Sequence, residues 1–440
     1  MKTFRIGGIH PPENKLSAGK PIETPPLPEK VYVPLTQHLG APAIPLIQPG
    51  NVVKVGTLLA RSDGPISANI HSPVSGKVSK IELVMTSGGY KKEAIWIDVQ
   101  GDVWEEFIDR SDNLVKKCAL SGSEIIAKIE EAGIVGLGGA TFPTHVKLKS
   151  AVGKVDFLLI NAAECEPFLT DDHALMLSKA QEILVGTSIL MKAIGVKKAC
   201  IGIETNKRDA IRKLAGYIEE YPGIEIIPLR VRYPQGGEKQ LIEAVLKRQV
   251  PSGKLPADVG CVVQNVGTVF AVYEAIQKNK PLIDRLVALT GKSLKKPMNL
   301  RVRIGTMISE LLDFAGGLPE DTGKVIAGGP MMGRALASLE IPVSKGVSGV
   351  LVLPQKASLR KPPRPCIRCG KCVSVCPMAL VPCNLMSFVE QENWDYAKRF
   401  NIVDCIECAS CTYSCPSNRP MLDLIRLGKT QVLTLMRNSK

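Results

Sequence analysis

The sequence predicts a multidomain protein that combines α/β and α+β domains. Three observations support this prediction: short β segments separated by glycine near the N-terminus, alternating strand and helix patterns in the middle, and a duplicated cysteine motif near the C-terminus. The chain has 440 residues, and since a domain takes roughly 150 residues, length alone leaves room for about three domains.

Residues 31 to about 100 contain short apolar runs interrupted by glycine turns, a pattern typical of β-strands. The turns around Gly50 and Gly76 resemble matching hairpins, which is similar to the barrel-sandwich hybrid of lipoyl and biotinyl carriers. Those carriers display a lysine at a hairpin tip, whereas residues 62–71 contain none. We therefore predict a docking module here rather than a swinging covalent arm.

The next region begins with an amphipathic helix that starts at Ser121 with a Ser-x-x-Glu signal. A glycine loop follows, and its glycines can bring backbone N–H groups close to an anion. The glycines are Gly136, Gly138 and Gly139, with Lys147 downstream. Because the loop follows a helix, it departs from the strand-turn-helix context of the dinucleotide fingerprint. Taken alone, such a cluster is more often a plain turn.

Polar residues follow several predicted strands of this region, which alternates strand and helix in a Rossmann-like manner. Glu164 and Glu166 come after the buried run at 155–161, and similar polar turns lie at 233–238 and 263–268. Ligands favour the carboxyl ends of such strands. The residues leave two interpretations open: a pocket for ribityl or ribose hydroxyls and a flavin edge, or solvated acidic turns. Residues 298–353 then predict a small mixed β domain.

The strongest signal is a cysteine motif that occurs twice, each time as Cys-x-x-Cys-x-x-Cys-x-x-x-Cys-Pro. In two-cluster ferredoxins the fourth cysteine of each run ligates the other cluster, and we expect it on a following helix. The predicted ligands are Cys366, Cys369, Cys372 and Cys415 for cluster 1, and Cys405, Cys408, Cys411 and Cys376 for cluster 2. Zinc knuckles need only paired cysteines, so they do not explain this spacing.

The composition excludes several classes of protein. The net charge is +14, but the basic residues are scattered without a basic and aromatic module, so we predict no nucleic-acid partner. Neither an apolar run of membrane-spanning length nor a signal core is present. We expect a cytosol-facing protein, whose basic charge serves cofactors, an acidic partner or an anionic membrane surface, or solubility alone.

Taken together, these features resemble the C-subunit family of the Rnf complexes, the ion-translocating NAD:ferredoxin oxidoreductases of bacterial membranes. Residues 4–15, Phe-Arg-Ile-Gly-Gly-Ile-His-Pro-Pro-Glu-Asn-Lys, are similar to the opening of that family. The resemblance covers almost the whole chain and implies four domains. They are a barrel-sandwich hybrid at 1–105, a Rossmann-like FMN and NAD domain at 106–297, a β-grasp domain of the SLBB type at 298–355, and a helical double-[4Fe–4S] ferredoxin-like domain at 356–440.

The central region is also similar to the flavoprotein subunit of respiratory complex I, in which Gly-Arg-Gly-Gly-Ala-Gly-Phe-Pro-Thr-Gly-x-Lys holds FMN. Here Gly-Leu-Gly-Gly-Ala-Thr-Phe-Pro-Thr-His-Val-Lys stands at 136–147. The resemblance implies that noncovalent FMN contacts Gly136, Gly138, Gly139, Lys147, Asn161, Glu164, Asn265 and Thr268, and that NAD contacts Phe142, Glu166 and Glu238. Leu137, Thr141 and Ala163 depart from the complex I pattern, so the implied flavin contacts are incomplete.

The same resemblance implies hydride exchange between NAD(H) and FMN, followed by single-electron transfer through both clusters, with no catalytic side chain. The implied partners are a ferredoxin-like iron–sulfur subunit and integral membrane subunits, which place the chain peripherally at the cytoplasmic face of the cell membrane. Two alternatives stay open. One is a cobalamin reductase of the microcompartment type, and the other is a cluster-bearing electron wire or scaffold without flavin. The opening at residues 7–13 favours the Rnf family.

Overall fold

The computed structural model describes residues 1–438, which form four β-sheets and a helical C-terminal region. The strands are β1 Ile22–Glu23, β2 Lys30–Pro34, β3 Ile44–Pro45, β4 Val52–Val53, β5 Leu58–Arg61, β6 Ile70–His71, β7 Gly76–Met85, β8 Lys91–Val99, β9 Phe157–Ala162, β10 Lys198–Glu204, β11 Ile224–Leu229, β12 Cys261–Asn265, β13 Asp284–Thr290, β14 Met298–Arg303, β15 Thr322–Ala327, β16 Arg334–Ala335 and β17 Gly349–Pro354. The α-helices are α1 Gly122–Glu131, α2 Thr144–Ala151, α3 Asp171–Ser178, α4 Ala180–Ile194, α5 Arg208–Ala215, α6 Glu238–Leu246, α7 Val266–Gln277, α8 Ile308–Phe314, α9 Gln355–Ser358, α10 Lys371–Ser374, α11 Pro382–Glu390, α12 Trp394–Arg399, α13 Ser410–Tyr413 and α14 Met421–Asn438.

Strands β2 to β8 form the predicted barrel-sandwich hybrid. One antiparallel sheet has the order β2-β8-β7-β4 and a second has the order β3-β5-β6. The alternating apolar residues of both sheets, among them Val33, Leu59 and Ile97, bury their side chains in a common core. The prediction of this fold is confirmed.

The hairpin tip at residues 62–71, where a carrier would display its lysine, is docked against the rest of the protein. Asn69 Nδ2 donates a hydrogen bond to the carbonyl of Glu131 at 3.1 Å, at the last residue of α1. The buried Lys345 Nζ donates to the carbonyls of Asn69 and Gly133, both at 2.7 Å. The tip therefore fixes the barrel to the chain just before the glycine loop.

The central domain contains a four-stranded parallel sheet with the order β11-β10-β9-β12. Its strands are nearly continuous apolar runs because helices cover both faces, as expected for a buried parallel sheet. From β9 the chain adds strands first on one side and then on the other, so the order reverses between β9 and β12. Ligands bind at such a switch point, outside the carboxyl ends of the strands. Helix α1 begins with the predicted capping box between Ser121 and Glu124.

Helix α4 packs on this sheet and is buried along most of its length, and α3 packs against α4, α7 and strand β13. Over residues 1–438 no single helix is long and apolar enough to span a membrane. Only α3 and α4 taken together meet that test by length and composition, and the pair is bent by 96°.

The third domain is built on a six-stranded mixed sheet with the order β1-β14-β13-β17-β15-β16. Helix α8 packs on it through Ile308, Leu311 and Leu312. Strand β1 comes from the N-terminal region and β13 begins at Asp284, so the sheet recruits residues outside 298–355. The predicted limits of the four domains stay a prediction.

The C-terminal domain consists of short helices and loops packed against the long helix α14. Apolar residues of α11 and α14, including Leu385, Val389 and Ile425, form its core. The fourth cysteine of each motif follows the short helix α10 or α13, instead of lying on a later helix, so that expectation is wrong. Each short helix begins next to the third cysteine, which leaves little chain between the two ligands.

Candidate functional site

The glycine loop at residues 136–141 lies at the switch point between β9 and β12, and it connects α1 to α2. Leu137 N donates a hydrogen bond to Thr268 Oγ1 in the first turn of α7 at 2.9 Å. A Cβ atom on Gly138 would lie 2.6 Å from Asn265 Nδ2, whereas a Cβ on Gly139 would meet nothing within 4 Å. Helix α7 therefore supports the loop at Gly138, and the loop is open at Gly139.

Two asparagines lie side by side in the sheet register near the carboxyl ends of neighbouring strands. Asn265 is the last residue of β12, and Asn161 is the last but one of β9. Asn265 Oδ1 accepts hydrogen bonds from Gly267 N at 2.8 Å and Thr268 N at 3.3 Å, so it caps α7. Asn161 Nδ2 donates to the carbonyl of Gly236 at 2.8 Å. The predicted polar contacts thus share one crevice with the glycine loop.

Glu164 is buried beside this crevice in a backbone conformation with φ 46°. Its Oε1 accepts hydrogen bonds from Asp172 N at 2.8 Å and His173 N at 3.3 Å, which caps the first turn of α3. Its Oε2 has no hydrogen-bond partner among the described residues and lies 3.9 Å from Lys15 Nζ and 4.0 Å from Lys207 Nζ. One carboxylate oxygen is therefore left for a further donor.

Asp172 connects this carboxylate with the crevice, a role that the sequence analysis missed. Its Oδ2 accepts a hydrogen bond from Asn265 Nδ2 at 2.8 Å. Burial, with the nearby charge of Glu164, raises the pKa of Asp172 to about 7. Arg285 is buried nearby, and burial lowers its pKa while the charge of Asp171 raises it. The pair of aspartates at the start of α3 was the available signal in the sequence.

Lys147 and Glu238, predicted to contact FMN and NAD respectively, bind each other. Lys147 Nζ lies 2.6 Å from Glu238 Oε1, and both side chains are partly exposed. Glu238 is the first residue of α6, directly after the turn that contains Gly236. The pair thus spans the crevice between α2 and α6 at its solvent side.

Glu166 is not directed at the Lys147–Glu238 pair. Its Oε1 accepts hydrogen bonds from Met331 N at 2.6 Å and Met332 N at 3.1 Å, in the glycine-rich turn of the third domain. Burial raises its pKa. Phe142 is half-buried at the end of the glycine loop, where its carbonyl accepts a hydrogen bond from Gly136 N at 2.9 Å. Of the three residues predicted to face NAD, only Phe142 and Glu238 lie beside the crevice.

The four predicted ligands of cluster 2 line a single cavity together with apolar residues such as Leu385 and Ile425. We call them the inner set: Cys376, Cys405, Cys408 and Cys411. Burial raises the pKa of Cys405 to about 11 and that of Cys411 to about 12. The raised pKa means that these thiols are protonated at neutral pH, so binding a cluster would release their protons.

The predicted ligands of cluster 1 lie closer to the surface. This outer set comprises Cys366 and Cys369, which are exposed, and Cys372 and Cys415, which are partly buried. Arg364 N donates a hydrogen bond to the carbonyl of Ser417 at 2.9 Å, which brings the start of the first motif next to the end of the second. This contact supports the prediction that Cys415 of the second run ligates cluster 1.

Comparisons with known proteins agree with this architecture. The chain is 45% identical to the C subunit of the proton-translocating ferredoxin:NAD+ oxidoreductase complex of Clostridium ljungdahlii, over 98% of this chain and 94% of that protein. It is 41% identical to the C subunit of the Na+-translocating complex of Acetobacterium woodii, over 99% of this chain and 98% of the other. The model of the RnfC barrel sandwich hybrid domain matches residues 2–102. The chain belongs to the RnfC family.

Further family models cover the rest of this RnfC chain. The Nuo51 FMN-binding domain matches residues 129–274, the SLBB domain matches 286–335, and the 4Fe-4S dicluster domain matches 365–419. They confirm the predicted fold classes and the predicted cofactors, FMN and two [4Fe–4S] clusters. A crystal structure of an NAD+-reducing [NiFe]-hydrogenase in its H2-reduced state shares the fold, with a TM-score of 0.50 and 19% identity over 72% of this chain and 61% of that one.

The residues present fit both kinds of cofactor. At the crevice, Gly139 borders open space, and Glu164 Oε2 has no hydrogen-bond partner within residues 1–438, so a ligand can approach the loop backbone and add a donor. At the inner set, four cysteine side chains line one cavity together with apolar residues, and a cubane takes four thiolates, one for each iron atom.

Tyr233 and Lys15 are further residues that the sequence analysis did not single out. Tyr233 is buried, and its hydroxyl donates a hydrogen bond to the carbonyl of Cys408 at 2.9 Å. Lys15 Nζ donates to the carbonyls of Glu164, Glu166 and Leu169. Both contacts join parts of the chain that are distant in sequence, so no local pattern could have revealed them.

Proposed function

We propose that this RnfC chain is the peripheral, NAD(H)-facing subunit of an ion-translocating ferredoxin:NAD+ oxidoreductase complex. It exchanges a hydride between NAD(H) and bound FMN and passes single electrons through its two clusters. Its partners are a ferredoxin-like iron–sulfur subunit and integral membrane subunits, and its place is the cytoplasmic face of the cell membrane. The relatives from Clostridium and Acetobacterium, named as subunits of such complexes, support this assignment.

The observation that carries the proposal is the contact between the flavin crevice and the inner set of cysteines. The turn and helix at residues 233–246 border the crevice through Gly236 and Glu238. The same segment contacts the cluster domain, because Tyr233 donates to Cys408 and Gln240 Nε2 donates to the carbonyl of Pro377 at 3.2 Å. A two-electron site and a one-electron site therefore share one structural element.

The residues of the crevice have distinct proposed roles. Gly138 and Gly139 offer backbone N–H groups, and Lys147 offers a charge, to the FMN phosphate. Gly136, whose N–H donates to the Phe142 carbonyl, shapes the loop that faces the flavin. Asn161, Glu164, Asn265 and Thr268 hold the polar groups of the flavin and its ribityl chain. Phe142 and Glu238 contact the nicotinamide nucleotide, whereas the carboxylate of Glu166 is held by Met331 N and Met332 N.

When bound, FMN converts between the hydride of NAD(H) and single electrons, and the protein supplies orientation and electrostatics. No side chain is required as a nucleophile. The buried Asp172, whose pKa burial raises to about 7, orients Asn265, because its Oδ2 accepts a hydrogen bond from Asn265 Nδ2.

The difference in burial supports an order in which electrons from the flavin reach the inner cluster first and the outer cluster second. The inner set contacts the flavin domain, whereas Cys366 and Cys369 of the outer set are exposed. The exposed loop that carries them is basic, with Arg364, Arg368 and Lys371 and no acidic residue between 355 and 389. Such a surface attracts an acidic redox partner, so we place the exchange with the iron–sulfur subunit at the outer cluster.

The test is a cofactor inventory of the full chain, purified and reconstituted without oxygen. We expect about one FMN and about eight iron atoms per chain, together with NADH-dependent reduction of an artificial dye. Protein with eight irons but neither flavin nor dye reduction would support the electron-wire alternative instead. Protein with one zinc and almost no sulfide would refute both.

A further inference from the structure

The N-terminal strap, which we define as residues 4–15, plays no part in the chemistry proposed above, yet it contacts two domains at once. Ile9 and Tyr233 exchange both backbone hydrogen bonds, at 2.8 and 2.9 Å. Just before the strap, Lys2 pairs in parallel with Leu229, beyond the edge of the central sheet. At its far end, Lys15 Nζ is anchored on carbonyls of the loop that carries Glu164. The strap is thus fixed to the flavin domain at both ends.

Between these anchors the strap lies against the inner set of cysteines. Gly8 N donates a hydrogen bond to the carbonyl of Val375 at 2.8 Å. Gly7 has φ +70°, and a Cβ atom there would lie 2.4 Å from the carbonyl carbon and oxygen of Cys376 and 2.6 Å from Pro377 N. Since these atoms are backbone, they cannot move aside as a flexible side chain would. Only glycine permits this close approach.

Tyr233 completes the contact from the flavin side. Its ring packs with Ile9, Met331 and Cys408 in one small apolar cluster, which brings together the strap, the third domain and the cluster domain. Its hydroxyl donates to the Cys408 carbonyl at 2.9 Å. The backbone of Cys376 is therefore contacted by Gly7 of the strap, and that of Cys408 by Tyr233, which pairs with the strap.

We propose that Gly7 and Tyr233 are positioning residues, which hold the inner-cluster loops against the flavin-site turn and thereby set the rate of electron transfer between FMN and cluster 2. This inference rests on the proposed function. Electron transfer weakens steeply with the distance between the two centres, so a small displacement of the loops slows it without removing either cofactor. Hydrogen bonds around a cluster ligand also tune the potential of the cluster.

The first test compares Gly7→Ala with Gly19→Ala in the reconstituted full chain. Both glycines have similar positive φ values, +70° and +74°, but a Cβ on Gly19 meets nothing within 4 Å. The two variants therefore share the backbone strain and differ in the contact with Cys376. After rapid mixing with NADH, we expect cluster reduction in Gly7→Ala to be roughly 10- to 100-fold slower than in Gly19→Ala. Iron content and NADH-dependent dye reduction should match in both.

The second test is Tyr233→Phe, which removes only the hydroxyl, with Tyr273→Phe as its control. The hydroxyl of the buried Tyr273 accepts a hydrogen bond from Val115 N at 3.2 Å, far from the cysteines. We expect Tyr233→Phe to make the midpoint potential of one cluster more negative in a redox titration followed by electron paramagnetic resonance, and to slow cluster reduction. Tyr273→Phe should change thermal stability alone.

The outcomes separate this inference from the proposed function. Parent protein without FMN or dye reduction would refute the proposed function itself. The positioning roles alone would be overturned if the parent protein has FMN and dye reduction but the variants behave like it. That outcome is an unchanged rate of cluster reduction in Gly7→Ala and an unchanged cluster potential in Tyr233→Phe. If Gly7→Ala does not fold, Tyr233→Phe decides: a parent-like potential and rate overturn the inference, and a shifted potential with slower reduction supports it.

Discussion

Adding a single methyl group to Gly139 should separate flavin binding from folding. A Cβ atom at this position meets nothing within 4 Å, and the residue does not have a positive φ. Gly139→Ala therefore fits the folded chain without FMN. Replacing a glycine in a permitted conformation typically stabilises a protein by about 0.4–1 kcal/mol, because the unfolded chain loses freedom. We expect flavin-free Gly139→Ala to be as stable as the parent protein or slightly more stable.

The magnitude of the binding loss follows from the proposed approach of FMN to the loop. If the flavin fills the open space at Gly139, the methyl group overpacks that contact, which typically costs about 1–3 kcal/mol. This corresponds to roughly 5- to 150-fold weaker binding. Gly138→Ala should behave differently, since its Cβ would lie 2.6 Å from Asn265 Nδ2. Displacing that helix cap destabilises the fold itself by about 0.5–2 kcal/mol.

The assay has two parts: urea unfolding of the flavin-free chains, and titration with FMN followed by its fluorescence. Gly216→Ala serves as a control, because Gly216 has φ −64° and its Cβ would make only ordinary contacts of 3.4 and 3.6 Å. The reasoning is refuted if Gly139→Ala binds FMN as tightly as Gly216→Ala does. A large loss of stability in Gly139→Ala would equally contradict it.

Three further predictions concern the clusters, an interdomain lysine and the basic surface. Cys411→Ser should lose roughly four of eight iron atoms, while its NADH-dependent dye reduction persists. The control Cys118→Ser should keep all of its iron, as measured by an iron assay. Burial lowers the pKa of Lys345 from 10.5 to about 7. Between these pH values the unfolded chain binds more protons than the folded chain, so the free energy of unfolding should rise with pH by up to about 1.4 kcal/mol per pH unit. Urea unfolding at pH 7 and pH 9 should show this rise in the parent protein and not in Lys345→Met. Arg364→Glu combined with Arg368→Glu should slow electron exchange with an acidic ferredoxin at low salt and flatten its dependence on ionic strength, measured by stopped flow; an unchanged salt dependence would place the partner elsewhere.

Much of the architecture was predictable because it depends on local chemistry. The spacing of each cysteine motif is set by what a cubane requires of a short loop. The apolar runs that became β9 and β12 predict a buried parallel sheet, and the capping box at Ser121 marks the start of α1 correctly. These signals lie within a few residues of the feature that they predict.

The contacts that join domains were not predictable in the same way. Glu166 resembles a nucleotide ligand in sequence, but in the structure it receives hydrogen bonds from Met331 and Met332 of another domain. Lys147 and Glu238 pair across the crevice although they are 91 positions apart in the chain. Such pairings depend on how the domains pack, and no periodicity or spacing in a single sequence encodes that arrangement.

The two cysteine motifs illustrate how tertiary structure assigns different tasks to equivalent sequences. Their spacing is identical, so the sequence cannot say which cluster is nearer the flavin. In the second run, the charge of Glu407 is matched by Arg426 and Lys429 of α14, and Cys408 is buried against Tyr233. The first run keeps its basic side chains in solvent, where they attract an opposite charge. A paired and buried environment suits a fixed neighbour within the chain, whereas an exposed basic one suits a separate acidic partner. Burial and charge together therefore support the proposed order of the clusters from the flavin to the surface.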